Sequence, residues 1–344
     1  MKRLISALVS LSIITIIYLR TDWGHLWRIL SQSSPTWMTL SLCMVIPLNM
    51  ITALRLKILA PPSSGMTHWE ANKLILASST LNMVLPSKMG DMAKAFFMSR
   101  RGKMNRPLAL CCVVFEKGCD MLSLLLWCSV GLLLIPDRAG VFRNIDPEIS
   151  VQPGTSLTLY WGTLALITGM LFIGAFILGS QSVARTVFKF LGTISPSKIR
   201  PKFDDLAFAW SQMHKYFWQH RGRLAVVVTI SLLLWFLHLL QIWLFVIALR
   251  QHAPIEVSYA LAPLAILAGL LPFTFAGVGT RDATILYFYT PFMPEAAAVA
   301  LGMLCTARYI LPALGGLPFF TDYLHKLREY NSSEIRLPAL NSTD

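Results

Sequence analysis

The sequence predicts an all-α polytopic membrane protein, and three observations carry that reading. Of its 344 residues 55% are apolar and only 14% charged, against roughly 25% charged in an average soluble domain. Several apolar runs approach or exceed the ~20 residues a helix needs to cross a bilayer. The formal net charge is +13, but the cations sit between apolar runs rather than on one polar face. The positive-inside rule accounts for them, and a nucleic-acid partner is not expected. The six cysteines, Cys43, Cys111, Cys112, Cys119, Cys128 and Cys305, fall in or beside apolar runs and make no CxxC pair. Neither a metal site nor a disulfide frame is expected, no cofactor is implied, and they read as small buried residues.

Lys2 and Arg3 precede an apolar run at 4–19. No small-x-small cleavage site follows, so the run is expected to be a retained first span with the N-terminus cytoplasmic. Residues 21–35, with Trp23 and Trp27, suit the outer interface. Residues 37–59 return inward, with Arg55 and Lys57 marking the cytoplasmic end. Residues 71–85 are too short to span: about 15 residues give roughly 22 Å of helix against a core of about 30 Å. Cations lie on both sides of this stretch, so it is expected to be re-entrant from the cytoplasm. The chain then breaks at Pro86, turns through Ser-Lys-Met-Gly-Asp, and starts a new helix near Gly90. Residues 107–136 cross outward, and 137–155 form an outer loop.

The second half repeats this order. Residues 157–178 cross inward, 180–223 form a cation-rich cytoplasmic segment of surface-lying helices, and 224–249 cross outward. Residues 257–271, a GVGTRD turn and 283–292 form a second broken unit, and 295–320 cross inward. The expectation is about six full spans plus two re-entrant units, the halves 1–136 and 157–323 having opposite orientation, as in inverted-repeat transporters. Seven or eight spans remain open if either broken unit crosses fully. Residues 1–323 form one transmembrane domain and 324–344 a short polar cytoplasmic tail, in a cell (inner) membrane protein.

Bare backbone at membrane depth is tolerated only where protein or a water-filled cavity satisfies it. The two breaks are therefore the first candidates for a site. The first runs N-M-V-L-P-S-K-M-G-D-M-A-K-A from Asn82 through Pro86, Lys88, Gly90, Asp91 and Lys94. Next comes F-E-K-G-C-D, with Glu116, Lys117 and Asp120. The second break is L-P-F-T-F-A-G-V-G-T-R-D, with Pro272, Gly277, Gly279, Arg281 and Asp282. These three stretches, in order and spacing over essentially the whole chain, resemble the flippase-like membrane family that includes the membrane portion of lysylphosphatidylglycerol synthetases. One departure is Asp282, where that pattern more often has Glu. The resemblance implies a lipid-moving or lipid-handling inner-membrane protein. It also implies transport rather than enzymatic activity, since the soluble aminoacyl-transferase half of the synthetases has no counterpart in this sequence.

The residues themselves support two kinds of reading. Asp91 and Lys94 lie one turn apart behind a helix start whose free N–H groups suit an anion, with Lys88 adding charge; the plain alternative is an ordinary positive-inside loop. Glu116 and Asp120 share a helix face, and are costly within a bilayer unless paired or wet; the alternative is a solvated helix end. Arg281 offers a phosphate fork or pairs with Asp282. Arg308 lies near the middle of an apolar span, and is either a functional cation or one half of an ion pair with Glu116, Asp120 or Asp282. His238 with Gln241, and Asn49, read as interhelical hydrogen bonding. The leading function is a lipid translocase, flippase- or scramblase-like, for an anionic phospholipid or lipid-linked glycan. The competing readings are an integral-membrane enzyme and an accessory subunit of envelope-polysaccharide biosynthesis. No H-E-x-x-H, G-x-S-x-G or Walker A motif supports the enzyme. The expected partner is membrane lipid, with a second copy of the chain or an envelope-biosynthesis machine left open.

Overall fold

The computed structural model describes residues 11–13, 15–17, 19, 21–84, 90–100, 104–135, 153–195, 200–270 and 278–336, and among them there is helix but no strand. The helices are α1 (Trp23–Ser31), α2 (Pro35–Cys43), α3 (Val45–Leu59), α4 (His68–Val84), α5 (Gly90–Arg100), α6 (Arg106–Leu134) and α7 (Pro153–Gly179). They continue with α8 (Gln181–Ile194), α9 (Arg200–Gln219), α10 (Arg221–Ala248), α11 (Ile255–Leu270), α12 (Thr280–Tyr289) and α13 (Glu295–Arg336).

Local chemistry explains the boundaries. Asp22 caps α1 by accepting from the N–H groups of Gly24 and His25. Thr67 and Glu70 form a reciprocal capping box at the start of α4: the Thr67 N–H donates to the Glu70 carboxylate at 3.1 Å, and the Glu70 N–H to the Thr67 hydroxyl at 3.2 Å. Asn105 caps α6. Pro47 cannot donate to the carbonyl of Cys43, and the helical ladder breaks there into α2 and α3.

Among the described residues four stretches are long and apolar enough to cross a membrane: Pro35–Leu59, Leu157–Gly179, Arg221–Ala248 and Glu295–Asp322. They coincide with four of the expected spans. The fifth, α6, is 29 residues long but carries Glu116, Lys117 and Asp120, so composition alone does not mark it. The run 4–19 lies largely outside the described residues. Helix α7 presents Phe172, Ile173 and Phe176 at 63–69% exposure, which suits acyl chains and would be a liability in water. Helices α8 and α9 pair with each other, and α9 packs on α6 through Phe115, Trp210 and Phe217.

Each broken unit packs on the last long helix of the other half: α4 runs along α13, and α11 along α6. Both contacts are close enough to need glycine. A Cβ on Gly316 of α13 would lie 2.0 Å from the carbonyl oxygen of Leu76, and one on Gly131 of α6 would lie 2.4 Å from the backbone of Tyr259 and Ala260. The step in sequence from Gly131 to Gly316 equals, to within one residue, the step from Leu76 to Ala260.

The apolar core is in two parts. One joins the start of α6 to α3, α4, α5 and α9; the other joins the end of α6 to α10, α11, α12 and α13. Helices α6 and α10 run through both, and their polar residues lie between. Asp120 is the central residue of α6, Trp235 is at the centre of α10, and Arg308 is at the centre of Glu295–Asp322. The fold thus places a polar layer at mid-height between two apolar layers.

Candidate functional site

The first part of that layer is an ion-pair network. Arg55 on α3 donates to Asp120 at 2.5 Å, to Glu116 at 3.0 Å and to the Ser231 hydroxyl at 3.0 Å. Lys94 on α5 reaches the other oxygen of Glu116 at 2.6 Å. The side chains of Arg55, Glu116 and Lys94 are each 2% exposed or less. Lys117, nearly half exposed, bridges Asp91 at 3.1 Å and Asp120 at 3.5 Å. Ser78 donates to Asp91, and the Trp235 indole N–H to Asp120. Among the described residues three cations meet three carboxylates, so their charges balance. Buried charges persist only when paired and hydrogen-bonded in this way.

The second part lies at the start of α12. Gly279 has φ 104°, a conformation that favours glycine, and it turns the chain into the helix. Its N–H donates to Asp282, which closes the first turn. Arg281 donates to Asp282 at 2.7 Å, to Thr306 at 2.5 Å and to the carbonyl of Cys305. Arg308, 4% exposed, donates to the carbonyl of His238 at 3.4 Å and to the Tyr309 hydroxyl at 2.9 Å. Its guanidinium lies 4.8 Å from the Tyr309 ring centre, and that of Arg281 lies 5.7 Å from it. Among the described residues Arg308 has no carboxylate within ion-pair distance, and its Nε has no hydrogen-bond partner.

One cavity of about 220 Å³ joins the two parts. Asn82, Asp91 and Lys94 line it from the first broken unit, Glu116, Lys117 and Asp120 from α6, and Val278 and Arg281 from the second broken unit, with Arg308 and Tyr309 from α13.

The family model for the lysylphosphatidylglycerol synthase TM region matches residues 3–316. The chain belongs to this family. It is also similar to a UPF0104 membrane protein of Methanocaldococcus jannaschii, at 21% identity over 333 residues, covering 92% of this chain and 93% of that one. The cavity thus lies within the matched lysylphosphatidylglycerol synthase TM region, and the apolar helices around it suit a membrane location.

Within this TM region the expected site residues divide as follows. The cavity gathers Asn82, Asp91, Lys94, Glu116, Lys117, Asp120, Arg281 and Arg308. Asp282 lies just beyond Arg281, in an adjoining cleft. Gly90 starts α5 as expected and packs so tightly on α4 that a Cβ there would lie 2.4 Å from the carbonyl of Ser78. Pro86, Lys88, Pro272 and Gly277 lie outside the described residues.

Several expectations need correction. Arg55 does not mark a cytoplasmic end; it is buried and paired, while Lys57, on the other side of α3, is exposed. Glu116 and Asp120 follow the first of their two readings, not the solvated helix end: Arg55 and Lys94 pair with them in the interior. Lys94 lines the cavity and is paired with Glu116 at 2.6 Å. Arg308 forms no ion pair with Glu116, Asp120 or Asp282. Arg281 does pair with Asp282, and Gln241 does make an interhelical hydrogen bond, to the Ser41 carbonyl at 2.7 Å. Asn49 lines the cavity. The residues missed were Arg55, Ser78, Trp235 and Tyr309. A signal for Arg55 existed: Asn49, Thr52 and Arg55 recur every third residue through an apolar run, and all three line the cavity.

Proposed function

We propose that the protein translocates an amphiphile with an anionic head group, an anionic phospholipid or a lipid-linked glycan, across a cell (inner) membrane. The observation that carries this reading is Arg308: a buried guanidinium at the middle of an apolar helix, lining a polar cavity, with no carboxylate beside it among the described residues. An intramembrane cation is expensive, and a phosphate that comes and goes accounts for its retention. The balanced network opposite it accounts for the remaining charge without a substrate. A paired-carboxylate hydrolase is disfavoured, since both Glu116 and Asp120 are engaged by cations.

In this reading the two broken units are re-entrant, and the halves form an inverted repeat. The exchange of α4 onto α13 and α11 onto α6, with a glycine at each crossing in matching register, supports that symmetry. Rocking of the broken units about those crossings would expose the cavity to each side in turn. The N- and C-termini and residues 180–223 are then cytoplasmic, and 137–155 outside. Labelling by an impermeant reagent at Ser150→Cys but not at Ser197→Cys, in a cysteine-free background in intact cells, is the expected result; the reverse would invert the topology.

The test of the function is reconstitution into liposomes with labelled lipids that differ only in head group. Movement of phosphatidylglycerol well above that of protein-free liposomes, and faster than that of a lipid with no net charge, is expected. Equal, background rates for every head group would refute the reading.

A further inference from the structure

The polar cavity has an apolar neighbour. A second cleft, of about 230 Å³, is lined by Ile17, Val299, Met303, Ala307 and Ile310, together with Val278, Thr306 and Asp282. Val278 and Thr306 line both spaces. The ion pair of Arg281 and Asp282 stands at the junction, with Arg281 facing the polar cavity and Asp282 lining the cleft. The cleft borders on Ile310, which is 38% exposed on the outer surface of α13.

We propose that this cleft is the lateral portal for the hydrocarbon chain of the amphiphile whose head group occupies the polar cavity. The proposal rests on the reading above and deepens it, because it assigns the substrate's chain as well as its head. Two complementary spaces meet at one wall. One holds a cation without a carboxylate, which suits a phosphate; the other is lined mostly by apolar side chains, with Asp282 and Thr306 at its inner end, which suits methylenes. A head group drawn into the bundle cannot take a long chain with it into a polar cavity without a cost of about 0.8 kcal/mol per methylene left in water. An apolar exit beside the head-group site removes that cost. A soluble anion would need the cavity but not the cleft.

The portal also gives the Arg281–Asp282 pair a role. Thr306 is held by Arg281 at 2.5 Å, and Asp282 approaches α13 at Gly302, where a Cβ would lie 3.2 Å from its carboxylate. The pair thus borders the passage through which the amphiphile's head and chain would stay joined, at Val278 and Thr306, which line both spaces.

The test uses the full chain in phosphatidylcholine vesicles that carry phosphatidylglycerol with a diazirine in its acyl chain. After illumination the labelled peptides are mapped by mass spectrometry. Adducts are expected on the cleft face of α13, at Val299, Met303 and Ala307. A short-chain, diazirine-free phosphatidylglycerol should reduce them by competing for the head-group cavity. Ala307→Trp, which fills the cleft, should lower the labelling there to background; Met303→Trp serves the same end if the first variant does not fold. Label spread over the lipid-facing side chains of α7, such as Phe172 and Phe176, with none in the cleft of the wild-type protein would overturn the proposal. Competed labelling in the cleft without head-group-dependent transport would keep the portal and refute translocation. Transport without labelling of the cleft would do the opposite.

Discussion

The two broken units meet the same physical problem and solve it differently. In the first, each described cation of the cavity has a carboxylate: Lys94 has Glu116, Lys117 has Asp91 and Asp120, and Arg55 joins Glu116 to Asp120. In the second, Arg281 has Asp282, but among the described residues Arg308 meets a carbonyl, the Tyr309 hydroxyl and the face of its ring, and no carboxylate. A balanced network holds helices together and asks nothing of a ligand. A cation solvated by neutral groups has unmet demand, which under the proposed function a phosphate meets. Under the proposed function, the balanced residues build the cavity and Arg308 selects what enters it.

The first way to break this comparison is to unbalance the network. Glu116→Gln leaves Arg55 and Lys94 buried without their shared carboxylate, and removal of one member of a buried ion pair costs about 3–5 kcal/mol. Most of the folded protein should be lost in size-exclusion profiles of detergent extracts. Replacing Glu116, Arg55 and Lys94 together by apolar residues of similar size should cost much less than the single change. If Glu116→Gln is as stable as the parent, the network is not what holds α3, α5 and α6 together.

A smaller effect is expected at the crossings. Gly131→Val and Gly316→Val drive a side chain into the backbone of the opposite helix, and overpacking of this kind costs about 1–3 kcal/mol. Gly169→Ala, where a Cβ meets nothing within 4 Å, is the control and should leave the melting temperature unchanged. Equal losses at Gly131 and Gly316 would sharpen the case for two-fold symmetry, and a loss at only one would weaken it.

Smaller still is Ser78→Ala. It removes a single hydrogen bond to Asp91, of 3.2 Å, while Lys117 continues to hold that carboxylate. A loss of about 1 kcal/mol is expected in thermal unfolding, and a loss as large as that of Glu116→Gln would mean that Asp91 depends on the hydroxyl rather than on the ion pair.

Much of this was legible in the sequence. The order of the described helices follows from the apolar runs, and the starts of α5 and α12 follow from Gly90 and from Gly279. The pairing of Arg281 with Asp282 is local, and adjacency suggested it. The role of Arg55 was not legible in its position, because a cation near the end of an apolar run looks the same whether it meets water or a carboxylate on another helix. Only the tertiary contact with Glu116 and Asp120, more than sixty residues away, distinguishes the two. Arg308 shows the reverse limit: its isolation in an apolar run flagged it, but an ion pair was as compatible with the sequence as the absence of one. The partner of a charge is a property of packing, and periodicity reports only the face on which it lies.

The central claim is that Arg308 receives the anionic head group while the opposite network is structural. The direct test is head-group-dependent translocation by Arg308→Gln in liposomes, measured beside its melting temperature. The phosphatidylglycerol rate is expected to fall at least about tenfold, equivalent to about 1.4 kcal/mol, while the melting temperature falls far less than in Glu116→Gln, because Arg308 gives up hydrogen bonds to a carbonyl and a phenol but no carboxylate loses its partner. Arg308→Lys, which keeps the charge but not the planar fork, should fall between the two. A wild-type rate in Arg308→Gln, or a loss of rate that merely follows a loss of folded protein, would contradict it.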